Sequence, residues 1–308
     1  MEPVYIKTQK NGILKERIEQ AIQKLLACDL CPRLCHVNRV DGQLGQCRTG
    51  KYAVLASYNA HFGEEAPLVG KHGSGTIFFS FCNLNCVFCQ NYDISYHGEG
   101  TLVTKEQLAK VMIHLQSMGC HNINFVTPSH VVPQILEALD IAIGMGLHVP
   151  LVYNSGGYDS VDTLKLLDGI IDIYMPDFKF WDSNVSKQFC NASDYSSKAC
   201  QALQEMHRQS GDLICNQEGL AYRGILLRHL VLPEKQAGTK QVMRFIASNI
   251  STQTYVNIMP QYRPCGRSHE FKTLQRHITE EEFKSAIQEA EEEGIVRFDQ
   301  HRRVFFVY

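Results

Sequence analysis

From residue 75 onward, short runs rich in β-branched and aromatic residues alternate with amphipathic stretches of helical period. This alternation restricts the chain to βα units around parallel strands. Strands are expected at 76–81, 122–127, 148–153, 171–175, 225–231 and 254–259. The segments between them carry helix punctuation. Thr104 with Gln107 makes a capping box and Val103 with Leu108 a hydrophobic staple, while Leu108, Val111, Met112, Leu115 and Met118 form one apolar face that Gly119 ends. Near the end of the chain Thr279 with Glu282, and Ile278 with Phe283, repeat the device. Six such units predict an α/β fold, a partial (β/α)6 TIM-like barrel, with chemistry at the carboxyl ends of the strands.

The 308 residues suit one barrel-type core. Residues 1–74 are expected to form an N-terminal helix, near 12–26, and a cysteine-rich appendage, and residues 75–308 the core with its C-terminal helix. A formal net charge of −2 gives no attraction to nucleic acid or to a membrane surface. No charged leader precedes an apolar stretch and no run is long enough to span a bilayer, so a cytoplasmic protein is expected.

Three cysteines, Cys82, Cys86 and Cys89, leave the first core strand in the loop Phe81-Cys82-Asn83-Leu84-Asn85-Cys86-Val87-Phe88-Cys89. Thiolates at this spacing reach three corners of a 4Fe-4S cubane, and no fourth cysteine follows nearby to take the last iron. A zinc reading needs a remote fourth ligand. A disulfide reading conflicts with twelve cysteines in a chain expected in a reducing compartment.

The loop resembles that of the radical S-adenosylmethionine (radical SAM) superfamily. There the open iron is chelated by SAM, and an electron breaks the sulfonium bond to give methionine and a 5′-deoxyadenosyl radical. With Gly75-Thr76-Ile77-Phe78-Phe79, Met175-Pro176-Asp177-Phe178-Lys179 and Arg228-His229-Leu230-Val231-Leu232-Pro233, the chain looks like the branch related to pyruvate formate-lyase-activating enzyme, over roughly residues 28 to 262. The resemblance implies that Cys82, Cys86 and Cys89 hold the cluster and that Phe88 borders SAM. It also implies that Asp177 and Lys179 position SAM, that Asn154 contacts it, and that Arg228 and Gln261 assist. It further implies a reductant such as flavodoxin or ferredoxin and, for activating enzymes, a protein substrate whose glycine becomes a radical. Where activating enzymes carry Gly-Gly-Glu after the second strand, this chain has Thr127-Pro128-Ser129-His130, so the hydroxyls of Thr127 and Ser129 are the expected substitutes.

The residues also admit plainer readings. Asp177 and Lys179 are two apart and share a face if the strand continues, or they are a rim ion pair. Phe88 is a core ring or a lid on the ligand, Ser129 a ligand contact or an N-cap, and His130 a surface histidine. Gly156-Gly157 allows close backbone approach or is a turn. Tyr153, Tyr262 and His229 are candidates to guide a substrate radical. Cys28, Cys31, Cys35 and Cys47 form a second group whose spacing suits tetrahedral zinc or an auxiliary iron-sulfur cluster. The other cysteines, Cys190 among them, show no ligand spacing. Competing functions are glycyl-radical activation, radical chemistry on a small molecule or another peptide, and a non-catalytic zinc scaffold.

Overall fold

A computed structural model describes residues 2–299, so the last residues of the expected core, 300–308, lie outside the described residues. The helices α1 Val4–Lys10 and α2 Ile13–Gln23 come first, followed by strand β1 Ala53–His61, the short helix α3 Ala66–Val69 and strand β2 Ser74–Phe79. Next come β3 Thr101–Val103, α4 Lys105–Ser117, β4 Ile123–Val126, α5 Val132–Gly144, β5 Leu151–Ser155, α6 Val161–Leu166 and β6 Ile173–Pro176. The chain continues through α7 Ser183–Cys190, α8 Tyr195–Ser210, β7 Ile214–Cys215, β8 Ala221–Leu230, α9 Thr239–Asn249, β9 Tyr255–Met259, α10 Glu280–Glu292 and β10 Arg297–Phe298.

The sheet runs β10-β9-β8-β6-β5-β4-β2-β1-β3, with every neighbouring pair from β10 to β2 parallel. The six expected strands are β2, β4, β5, β6, β8 and β9, and the sheet stays open between its two edges. β1, which lies within residues 1–74, and β3 extend the sheet as an antiparallel edge beside β2. Both capping boxes form, at Thr104–Gln107 and Thr279–Glu282. Two local expectations fail. Met118 is 48% exposed because the helix has already ended at Ser117, and α5 is capped by Val131, not Ser129.

Parallel strands covered on both sides are apolar on both faces. Tyr153, Tyr174, Leu227 and Ile258 belong to the large core cluster, whose helical members include Leu115 of α4, Leu139 of α5 and Leu203 of α8. Val152, Ile173, Met175 and Leu226 alternate with them and form a separate, smaller cluster on the concave face. That inner cluster is completed by Leu68 of α3, which is fully buried against it. The segment between β1 and β2 thus plugs the inside of the open barrel. Its carbonyl at Leu68 accepts from Asn122 Nδ2 at 2.9 Å, and Gly70, at φ 46°, turns the chain where a side chain would strike His121. Leu68→Ala is expected to cost about 2–5 kcal/mol in denaturant unfolding, the range for a buried leucine whose site cannot collapse. An unchanged midpoint would show that the plug does not pack as a stopper.

Candidate active site

The exits of the parallel strands, the loop after β2 and the plug enclose a cavity of about 400 Å3. Of the expected site residues, Cys82, Cys86, Cys89, Phe88, Thr127, Asn154, Asp177, Lys179, Arg228 and Gln261 all line it. Ser129 does not. It is 2% exposed behind the sheet, beside Tyr153 and the buried Asp159 carboxyl. His130, expected at the surface, is 1% exposed, with Nε2 3.0 Å from the Ser80 carbonyl, and burial, with Arg39 adding, lowers its pKa to about 4. The three radical-guiding candidates are also bonded elsewhere. Tyr153 donates to Asp159 at 2.9 Å and Tyr262 to the Leu274 carbonyl at 2.7 Å, while His229 is held between the Phe178 carbonyl and Thr239 Oγ1.

The cysteine loop is held tightly at both ends. Phe81 and Asn85 adopt positive φ, and Arg267 N–H donates to the Val87 carbonyl at 2.7 Å, tying the loop to the chain beyond β9. Phe88, 4% exposed, packs edge-on against Phe180, Phe189 and Tyr262 while bordering the cavity. Each loop sulfur receives at least one hydrogen bond. Leu84 N–H donates to Cys82 Sγ at 3.3 Å, the Cys190 thiol to Cys86 Sγ at 3.2 Å, and Ser95 Oγ to Cys89 Sγ at 3.2 Å. Cys190 is a packed thiol as expected, but packed on Cys86 itself, 104 residues away in the chain. Its hydrogen bond holds the Cys86 thiol below the ordinary value against burial, and the Lys179 ammonium adds to this. Burial, with the Cys86 charge adding, pushes Cys82 up to about 12, and burial likewise raises Cys89.

Three free thiols, each supplied with a donor suited to a thiolate, fit a sulfur-bound cluster that leaves one position open. Among the described residues, no three His, Cys, Asp or Glu side chains are grouped to hold a single metal ion.

The opposite wall is a buried ionic chain. Lys179 Nζ pairs with Asp177 Oδ2, and Arg228 Nε with Asp177 Oδ1 at 2.7 Å, while Arg228 Nη2 donates to Asn154 Oδ1 at 2.8 Å. Burial alone would raise the Asp177 carboxyl, but Arg228 and then Lys179 outweigh it and hold it below the usual carboxylate range. Asp177 and Lys179 therefore form a buried pair, with side chains only 10% and 16% exposed, not a rim pair. Gly157 at φ 75° is required by the turn, since a Cβ there would collide with the Asp177 carbonyl. Thr127 adopts φ 61°, a strained position for a β-branched residue, and its N–H bonds the Asn154 carbonyl at 2.9 Å.

Two residues absent from the sequence-based list belong to this site. Glu64, at the start of the plug, places Oε2 3.8 Å from Arg228 Nη1, and the neighbouring Glu65 accepts from Asn257 Nδ2 at 2.7 Å. Burial, with Glu65 adding and Arg228 opposing, raises the Glu64 carboxyl to about 7.

Cys28, Cys31, Cys35 and Cys47 do come together, around a space of only about 10 Å3, with Arg39 in its lining. Arg39 is 1% exposed and donates to the Gly50 and His130 carbonyls, with Cys28 Sγ 3.8 Å away. Arg33, in the same segment, donates to the carbonyls of Asn83, Leu84 and Cys190. The second cysteine group is thus braced directly against the loop of the first.

A family model described as the radical SAM superfamily matches residues 76–216. An uncharacterized protein of Methanocaldococcus jannaschii, MJ0674, is 31% identical over 290 residues, which is 92% of this chain and 79% of that protein. Among solved structures, a domain of pyruvate-formate lyase-activating enzyme from Bacteroides vulgatus aligns with a TM-score of 0.36 and 14% identity, over 63% of this chain and 89% of that one. HydG, a hydrogenase maturase, aligns at 0.48 and 14%, over 72% of this chain and 50% of that one. No helix among the described residues is long and apolar enough to cross a membrane.

Proposed function

The chain belongs to the radical SAM superfamily, and from that premise we propose that it cleaves SAM reductively in the cavity at the strand exits and uses the resulting radical to take hydrogen from a substrate. The observation that carries this reading is the set of three hydrogen-bonded thiols, Cys82, Cys86 and Cys89, on one wall of that cavity. When bound there, a 4Fe-4S cluster supplies the electron that breaks the sulfonium bond of SAM, received in turn from a reductant such as flavodoxin or ferredoxin.

The protein's own residues bind, orient and shield. Leu84 N–H, Cys190 and Ser95 stabilise negative charge on the three sulfurs, and Lys179, whose attraction to Cys86 contributes to the shifts of both groups, places a cation beside them. Asp177, held ionised by Arg228 and Lys179, offers an anion for the positive end of SAM, and Lys179 a partner for its carboxylate. Phe88, clamped by three rings, presents an apolar surface for adenine. Thr127 and Gln261 add polar contacts at the same rim.

The floor of the cavity is closed by the plug, which favours a small hydrogen donor. Glycyl-radical activation, the reading that the motif resemblance favours, requires a partner's backbone to enter the same mouth. The test is SAM cleavage by anaerobically reconstituted protein with a strong reductant, scored as 5′-deoxyadenosine together with iron and zinc content. About four irons for the loop site and 5′-deoxyadenosine are the expected result. Zinc without product would overturn the reading in favour of a metal-binding scaffold. A glycyl signal in electron paramagnetic resonance, on mixing with a candidate glycyl radical enzyme, would assign the activating type.

A further inference from the structure

The floor of the cavity carries buried polar atoms that, with its carboxyls ionised, have no hydrogen-bond donor among the described residues. Glu65 is 4% exposed and Asn257 7% exposed, and they bond each other through one atom apiece, Oε1 and Nδ2. Their remaining oxygens, Glu65 Oε2 and Asn257 Oδ1, are buried with no hydrogen-bond partner. Both are acceptors, so whatever completes them must donate. Glu64 stands beside them with a side chain 8% exposed, and the one guanidinium near it, Arg228 at 3.8 Å, is already committed to Asp177 and Asn154.

Charge points to the same ligand class. Among the described residues that line the cavity, the acids Glu64, Glu65 and Asp177 outnumber the bases Arg228 and Lys179, with His61 beside Glu64, so the lining favours cationic ligands, SAM among them. The orphan atoms are acceptors, which the N–H groups of an organic cation satisfy. Without a cation Glu64, which burial and the neighbouring Glu65 raise to about 7, keeps a proton easily and shares it with the Glu65 side chain.

We propose that the cavity floor is a subsite for the cationic group of a small substrate, a primary ammonium or guanidinium, bonded by Glu65 Oε2 and Asn257 Oδ1 with Glu64 as the second carboxylate. The proposal rests on the reading of this cavity as the chamber of a radical enzyme, and it narrows that reading to amine- or guanidine-bearing hydrogen donors. The plug is the specificity element. It comes from the segment between β1 and β2, not from a barrel loop, so its carboxylates rise into the cavity from below the strand exits.

Calorimetric titration of the anaerobically reconstituted full chain tests it, with butylammonium and butylguanidinium as probes and butanol as the neutral isostere, each with and without SAM. Saturable binding of at least one cation is expected, with butanol about tenfold weaker or worse. That binding should persist in the presence of SAM and fall about tenfold in Glu65→Gln. It should also weaken as the pH falls below about 7, because Glu64 then takes a proton. The groups facing Glu64 are Glu65 on its own segment, His61 of β1 at 3.6 Å, Arg228 of β8 and Asp177 beyond β6. No saturable binding, or equal binding of butanol, overturns the proposal and assigns the orphan acceptors to an ordered water. Displacement of the cations by SAM also overturns it, since the carboxylates would then serve the ammonium of SAM. If Glu65→Gln fails to fold, the contrast between butylammonium and butanol on the unaltered chain decides. Failure of the radical reading shows separately, as absence of 5′-deoxyadenosine from the same preparation.

Discussion

Cys86→Ala is expected to abolish 5′-deoxyadenosine formation while the barrel remains folded. Cys86 is the middle thiol of the loop, and its removal leaves two sulfurs where three are needed to hold a cluster with one open position. It is also the one loop thiol whose surroundings favour the thiolate, through Cys190 and Lys179. The substitution deletes a single sulfur at a site open to the cavity, so the stability cost stays small beside the loss of function. Cys190 complicates the test in an informative way. Its sulfur lies 3.2 Å from that of Cys86, and a thiol so placed can stand in as a ligand. The strict form is therefore the double variant Cys86→Ala/Cys190→Ala, with Cys200→Ala of α8 as the control, since Cys200 lies outside the cavity lining. Iron content and product are measured together on all three. Normal turnover by the double variant would remove the cysteine loop from the mechanism and with it the radical reading.

How much of this was legible in the sequence follows from how local each signal is. The six parallel strands announce themselves because each is a short apolar run buried on both faces and bounded by helix caps. The Cys82 loop is legible because its three cysteines lie within eight residues. β1 was not legible: it lies at the sheet's antiparallel edge, where Tyr58 is 44% exposed and apolar alternation is weak. The plug was missed for a different reason. α3 has four residues, too few for any period, and Glu64-Glu65 has the composition of a solvated turn. What buries Glu65 is Asn257, 192 residues further along, and what makes Cys190 matter is Cys86, 104 residues before it. Tyr153 and His229 looked available as reactive groups because a sequence shows side chains without their hydrogen bonds.

Arg228→Ala is the substitution expected to cost the most stability, about 3–5 kcal/mol at neutral pH, because it strands buried charge on both sides of the missing guanidinium. Arg228 bonds Asp177 and Asn154 at once and lies 3.8 Å from Glu64, so it joins β8 to the exits of β5 and β6 and to the plug. Lysine cannot replace that planar fork, and Arg228→Lys should recover only part of the loss. The pH dependence gives the mechanism a signature. The Asp177 carboxyl is held below its unfolded value, so its contribution is present above about pH 4 and fades as the pH falls through the folded value. Without Arg228, Lys179 alone is left to oppose burial, so the Asp177 carboxyl rises and its ionised form is held less well at neutral pH. Glu64, already raised to about 7 with Arg228 present, moves further the same way. The stability difference between wild type and variant should therefore be largest at neutral pH and shrink as the carboxyls protonate. Urea unfolding at about pH 7 and about pH 5 measures it. A difference independent of pH would mean that Arg228 acts by filling space. No difference at all would mean that water, not protein, surrounds the ionic chain, and the cavity could not then hold SAM through Asp177 and Lys179.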